Sequence, residues 1–80
     1  MKITDKNFDL STWNNARKIQ QAHEIFVVNE SKLEDGGSFS VDGYNAVIKL
    51  LKSLQNPNQQ ELTMKNYLVS KIKQIEILEV

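Results

Sequence analysis

Few residues in this sequence could do acid–base or nucleophilic chemistry near neutral pH. His23 is the only histidine among 80 residues, and cysteine is absent. A histidine titrates near neutrality without perturbation, but catalysis also requires a partner group. The adjacent Glu24 points to a different side of a helix, and no Ser-His-Asp or paired-carboxylate arrangement can be argued. We therefore expect His23 to be structural or solvent-exposed, and we predict that the protein is not an enzyme.

Two short patterns resemble ligand-binding loops without meeting their requirements. Segment 29–36 faintly resembles a calcium loop, but it places Leu33 and Asp35 where a hard cation needs a regular series of oxygens. Gly36 and Gly37 lack the GxGxxG or GxxxxGK spacing of phosphate-binding loops. We predict no metal and no cofactor, and we interpret 29–36 as a solvated loop that leads into a hairpin turn.

Composition and charge exclude several classes of protein. Ten basic and ten acidic residues give a net charge of zero, and 40% of the residues are hydrophobic. A neutral chain lacks the broad positive field that drives phosphate binding, which argues against nucleic acid as the main partner. The absence of cysteine excludes disulfides and cysteine-based zinc sites. No apolar run reaches the roughly 18–20 residues that a transmembrane helix needs, so we expect no membrane association.

The expected setting is a bacterial cytoplasm. No hydrophobic stretch of signal-peptide length follows Met1. Nine lysines against one arginine, together with eight asparagines, are typical of an AT-rich bacterial or phage genome. The chain is too short for two ordinary domains, so residues 1–80 are predicted to form a single domain.

Hydrophobic periodicity predicts the elements that position these residues. Apolar and polar residues alternate at 8–10, which indicates a first strand ending there. Apolar residues spaced by three and four predict a helix of about 12–25, with Ser11 or Thr12 as its N-cap. The residues of that stripe are Ala16, Ile19, Ala22 and Phe26.

A β-hairpin is predicted next. The run 25–28 is β-branched and aromatic, which favours a strand. Residues 34–37 read Glu-Asp-Gly-Gly, a strong turn signal, and 38–41 alternate in the manner of a returning strand. In this hairpin, Phe39 and Val41 face the core.

The second half contains the clearest helix. Asp42 is expected to cap a helix over 44–54, whose stripe is Tyr44, Val47, Ile48, Leu51 and Leu54. Asn-Pro-Asn at 56–58 stops that helix. Leu62 and Met64 suggest a short strand, and a last helical stripe covers 68–75.

The order β-α-β-β-α-β-α predicts an α+β fold. It suits an open-faced β-sandwich, in which helices cover one face of a mostly antiparallel sheet. Residues 75–80 either extend the last helix or form a final strand, and the sequence does not decide between these alternatives.

One segment resembles a known family. Residues 36–51, including the small Ala46 in the middle of the helix, are similar to the third strand and second helix of HPr, the histidine-containing phosphocarrier of the bacterial phosphotransferase system. The resemblance implies the same open-faced sandwich. HPr has a His-Ala-Arg-Pro run where its first helix begins, but residues 12–15 here read Thr-Trp-Asn-Asn. The family's regulatory serine would fall at Gly43, so both phosphorylation sites are absent.

Two functions follow as hypotheses. The first is an HPr-like protein without phosphocarrier chemistry that acts as a regulatory or protein-binding module, with another protein as its partner. Its predicted binding surface consists of Thr12, Trp13, Asn14, Arg17, Tyr44 and Val47.

The alternative is a small nucleic-acid-binding or phage regulatory protein. It rests on the lysines of the second half, which give local positive charge: Lys49, Lys52, Lys65, Lys71 and Lys73. Neither the partner nor the oligomeric state can be read from the sequence.

Overall fold

Three α-helices, joined by short connections, make up the architecture. The computed structural model describes residue 3 and residues 8–75. Helix α1 spans Asn15–Glu34, α2 spans Val41–Lys52 and α3 spans Gln59–Lys73. The described residues contain no strand, so the predicted α+β open-faced β-sandwich is wrong, and the fold implied by the resemblance to HPr is wrong with it.

The helices run up, down and up. The start of α1 lies beside the end of α2, because the Asn15 side chain bonds the backbone of Gln55. The end of α1 lies beside the start of α2, where Asn29 bonds the backbone of Ser40. Asn15 also approaches Glu61 of α3 to 3.5 Å, which places the beginnings of α1 and α3 together. Helices α1 and α2 pack closely, and α3 packs less closely against both.

The core lies between the three helices and is closed at its edges by residues from the connecting segments. Leu10 precedes α1, and Phe39 comes from the connection between α1 and α2. The rings of Phe26 and Phe39 lie 5.9 Å apart. The buried hydrophobic residues are Leu10, Ala22, Phe26, Phe39, Ala46, Val47, Leu50, Leu51, Leu68 and Ile72.

Helix α1 extends through the segment predicted as a strand. The predicted helix of about 12–25 ended too early, because the buried stripe continues beyond Phe26 to Asn29. Asn29 is polar, so the apolar pattern ends at Phe26 although the buried face of the helix continues; Lys18 is a second polar residue on that face. Val27 and Val28 are 42% and 56% exposed, so the β-branched run is not a buried strand. Tertiary packing therefore overrides local β-propensity here.

The predicted hairpin is a connection between two helices. Residues as far as Glu34 are helical, so the interpretation of 29–36 as a solvated loop is also wrong. Gly36 adopts a φ of 88°, which suits the left-handed turn that commonly ends a helix. Phe39 is buried as predicted, whereas Val41 is 51% exposed and begins α2.

The caps differ from those predicted, and one of them explains the missed start of α3. Ser40, rather than Asp42, caps α2. Asn58 and Glu61 form a capping box at the start of α3, where a strand was predicted for 62–64. The spacing of Asn58 and Glu61 is a recognisable start signal in the sequence.

Other predictions are confirmed in part. The helix predicted for 44–54 corresponds to α2, and Val47 and Leu51 are buried in it, but Leu50 is fully buried and lay outside the predicted stripe. Residues 8–10 form no strand. The rest of the predicted first strand, apart from residue 3, and residues 76–80 lie outside the described residues.

Gly43 allows α1 and α2 to approach each other closely. A Cβ atom at this position would meet Nδ2 of Asn29 at 2.6 Å. We expect Gly43→Ala to destabilise the fold by about 1–3 kcal/mol, the usual cost of overpacking, although alanine favours a helix by about 1 kcal/mol over glycine. Urea unfolding followed by circular dichroism measures the change.

The Asn29→Ala background provides the control for this clash. Because Asn29→Ala removes the atom that Cβ would meet, Gly43→Ala should cost less there than in the wild type. Additive effects of the two substitutions would contradict the close contact.

Candidate functional site

The structure separates the residues of the predicted binding surface. Thr12 and Asn14 are exposed at the start of α1, where Asn14 is the N-cap in place of the predicted Ser11 or Thr12. Tyr44 is half-buried near the start of α2, at the opposite end of the α1–α2 pair. Val47 is fully buried in the core, so its assignment to a binding surface is wrong.

Trp13 and Arg17 belong to a cluster that the protein fills with its own side chains. The guanidinium carbon of Arg17 lies 3.9 Å from the centroid of the Trp13 ring. Phe8 meets Trp13 edge to face at 5.8 Å, and Lys49 Nζ lies 5.9 Å from the centroid of Phe8. Since internal cations and rings cover these aromatic faces, the cluster attaches residues 8–13 to the helices and leaves Trp13 only partly available to a partner.

A side-chain hydrogen bond stabilises the turn before α1. Asp9 Oδ1 accepts a hydrogen bond of 2.8 Å from the Ser11 amide, and hydrogen bonds from Ser11 lower the pKa of this exposed carboxyl. The stabilisation is present above the unfolded-state pKa and is lost as the pH falls through the lowered folded-state value.

Two polar side chains join the start of α1 to the end of α2, and no role for either of them was predicted from the sequence. Lys18 is 3% exposed, and its ammonium donates a 2.7 Å hydrogen bond to the Ser53 carbonyl. The Asn15 side chain forms hydrogen bonds of 2.7 and 3.0 Å with the carbonyl and amide of Gln55. These contacts satisfy backbone groups after α2. The burial of Lys18 is therefore explained by a structural role.

Helix α3 carries a shallow apolar depression on its outer face. Its volume is about 460 Å³, and it is lined by Gln59, Gln60, Thr63, Met64 and Tyr67. Tyr67 is 52% exposed and Met64 is 39% exposed. This surface could not be predicted from the strand expected at 62–64. On the helix that forms instead, Met64 and Tyr67 lie three residues apart and off the stripe that contains Leu68 and Ile72.

A groove between α1 and α3 continues that depression. Its volume is about 440 Å³, and it shares Gln60 and Met64 with the outer face. His23 is exposed on its α1 side. The one acidic residue that lines the groove is Glu61, whose carboxylate already accepts the Asn58 amide in the capping box. Among residues 8–75, this groove therefore places no free acid–base pair beside His23.

A third groove lies between α2 and α3 and is more enclosed than the other two. It has a volume of about 380 Å³ and a mainly apolar floor formed by Ile48, Leu51, Val69 and Ile72. Tyr44 also lines it, together with three lysines: Lys52, Lys65 and Lys73. The lysines that the sequence suggested for nucleic-acid binding are thus divided: these three line one groove, whereas Lys49 and Lys71 lie near the rings of Phe8 and Tyr67.

Within residue 3 and residues 8–75, no group of three or more histidine or acidic side chains could hold a metal ion. The helices in that part of the chain are too short or too polar to cross a membrane.

No family model, curated protein or solved structure matches this chain.

The Trp13–Arg17 contact can be tested by fluorescence, because Trp13 is the only tryptophan. We expect Arg17→Gln to increase quenching of Trp13 emission by acrylamide and to lower the stability by about 0.5–1 kcal/mol, as for an exposed cation–π pair. Lys71→Gln, which removes a cation near Tyr67 instead, serves as the control and should leave Trp13 emission unchanged. Equal effects of the two substitutions would contradict the contact.

Lys18→Met tests the buried ammonium. We expect a loss of about 1–3 kcal/mol, since the apolar side chain keeps the length but leaves the Ser53 carbonyl without this donor. Lys32→Met, on the exposed surface of the last turn of α1, should cost less than about 1 kcal/mol. Thermal and urea unfolding measure both variants, and equal losses would contradict a specific role for Lys18.

Proposed function

We propose that this protein is a small regulatory, protein-binding module of the cytoplasm without phosphocarrier or other catalytic chemistry. The observation that carries the proposal is the apolar surface around α3. This helix buries Leu68 and Ile72 in the core, but it exposes Leu62, Met64 and Tyr67 to at least a third of their area.

The type and arrangement of the exposed side chains support a protein partner. Aromatic residues and methionine are enriched at protein interfaces, and methionine adapts to irregular partner surfaces. Tyr67 and Met64 line the outer depression of α3, and Met64 also lines the groove beside α1. The two depressions therefore form a continuous surface, which is the arrangement expected of a docking site rather than of scattered exposed residues.

The proposed site differs from the surface suggested by the resemblance to HPr. That surface depended on an open-faced sandwich that would bring residues 12–17 together with Tyr44 and Val47. In the three-helix bundle, Val47 is buried and Trp13 is partly covered by Arg17. We therefore place the proposed protein-binding surface on α3 instead.

Nucleic-acid binding remains a second candidate because of one observation. Lys52, Lys65 and Lys73 line the same groove, which concentrates positive charge in a chain of zero net charge. The apolar floor of that groove is better suited to a partner with apolar side chains than to a phosphate backbone.

Site-specific photo-crosslinking tests the proposed function. A Tyr67→p-benzoylphenylalanine variant, irradiated in an extract of the source organism, should form a covalent adduct with a discrete second protein. The matched control carries the same photoreactive residue in place of Val28, which is 56% exposed on α1. Excess wild-type protein should suppress the Tyr67 adduct, because it competes for the same partner.

Several outcomes would contradict the proposal. An absence of adducts at position 67, or equal adducts at positions 67 and 28, would mean that α3 has no specific partner. A nuclease-sensitive adduct with nucleic acid would favour the second candidate instead.

A further inference from the structure

The groove between α2 and α3 combines an apolar floor with a basic rim. Ile48 and Val69 are half-buried and face each other across it, while Leu51 and Ile72 close it from below as part of the core. No acidic side chain lines the groove within the described part of the chain. This pairing of apolar and positive surface distinguishes it from the two neutral or acidic depressions on the other sides of α3.

The lysines stand at both ends of the groove. Because α2 and α3 are antiparallel, Lys52 at the end of α2 lies towards Lys65, whereas Lys73 at the end of α3 lies towards Tyr44. None of these three lysines makes an ion pair or hydrogen bond with another described residue. Their positive charge is therefore not neutralised within residues 8–75.

The helix dipole accounts for the positions of only two of these three lysines. Lys52 and Lys73 lie in the last turns of their helices, where a cation interacts favourably with the helix dipole. Lys65 lies in the middle of α3 and is half-buried beside the apolar floor, so the dipole does not account for it. A carboxylate from a partner would supply the opposite charge that residues 8–75 do not provide in this groove.

The dimensions of the groove suit a short helix. Its α2 side runs from Tyr44 to Lys52, which corresponds to about 12 Å, or roughly two helical turns, at 1.5 Å per residue. A partner helix of this length presents apolar residues at i, i+3, i+4 and i+7 to one face. Acidic residues flanking that face would then lie opposite the lysines at the two ends.

We propose that the α2–α3 groove binds an acidic amphipathic helix of a partner protein, which packs as a fourth helix against the bundle. This inference rests on the proposed protein-binding function and specifies the chemistry of one partner segment. The apolar stripe of that helix covers Ile48 and Val69, and its carboxylates pair with Lys52 and Lys65 at one end and Lys73 at the other. A nucleic acid would satisfy the lysines but would leave the apolar floor uncovered.

A designed peptide provides the probe. It is a fluorescein-labelled amphipathic helix with leucines at i, i+3, i+4 and i+7 and glutamates flanking this stripe, and its matched partner carries lysines in place of the glutamates. Fluorescence anisotropy should show saturable binding of the acidic peptide to the wild-type protein and no binding of the basic peptide. Addition of salt should weaken the binding, since part of the attraction is between exposed charges.

Two charge reversals on the same helix locate the binding site. Lys65→Glu should raise the Kd of the acidic peptide by about tenfold or more, because it places like charges opposite each other. Lys71→Glu, whose lysine lies near Tyr67 outside the groove, should change the Kd by less than about twofold. Circular dichroism spectra of both variants verify that the fold is kept. If Lys65→Glu is unfolded, Lys52→Glu replaces it and has the same expected effect.

Further arms distinguish the other occupants. Equal binding of the acidic and basic peptides, or equal effects of Lys65→Glu and Lys71→Glu, would overturn the proposal. Binding of labelled DNA or RNA that falls steeply with salt, without peptide binding, would assign the groove to nucleic acid. If the peptide binds only to a chain shortened after residue 75, the groove belongs to the chain's own terminus and the proposal of a separate partner fails.

The failure of this inference can be told apart from the failure of the proposed function. A specific Tyr67 adduct together with no peptide binding would mean that the protein has a partner but that the α2–α3 groove does not accept an acidic helix. Loss of both signals would overturn the protein-binding function itself.

Discussion

The close packing of α1 against α2 is the contact on which the rest of the bundle depends. At one end, the buried Asn29 donates to the Ile25 carbonyl and accepts from the Ser40 amide, so a single side chain joins α1 to the cap of α2. The backbone of Gly43 lies against the side-chain amide of Asn29, where a Cβ atom would be too close. At the other end, Lys18 bonds the Ser53 carbonyl. These polar contacts set the position and direction of α2, and apolar burial between them supplies most of the stabilisation.

The position of α3 follows from this pair and explains why the candidate surfaces gather around it. Helix α3 contributes Leu68 and Ile72 to the core but packs less closely than α1 and α2 pack together. A third helix placed against a tight pair leaves a groove on each side of itself, and it keeps an outer face in contact with solvent. The three depressions around α3 are these spaces, and their different linings give them different chemistry.

The two grooves beside α3 are both partly apolar, but they differ in the charge of the residues that line them. The groove beside α1 contains His23 and the capping residue Glu61, whereas the groove beside α2 contains Lys52, Lys65 and Lys73 without a lining acid among the described residues. The chain as a whole has no net charge, so this local excess arises only when α2 and α3 come together. Electrostatic complementarity selects partners more effectively than it adds affinity, so such a difference is well suited to recognition.

The sequence alone was sufficient to indicate a short neutral chain without disulfides and the position of α2, because composition and a regular apolar stripe are local properties. It also predicted the burial of Phe39, but on a hairpin strand that does not form. It was misleading over 25–28 and 62–64, where β-branched or alternating residues resemble strands. At 62–64 the capping box of Asn58 and Glu61 is a local signal for the helix that forms. Only the tertiary structure decided the course of α1: Lys18 and Asn29 are buried because residues at the two ends of α2 supply hydrogen-bond partners, and no local pattern reveals such partners in advance. The grooves around α3 likewise depend on residues distant in sequence, so their chemistry exists only in the folded chain.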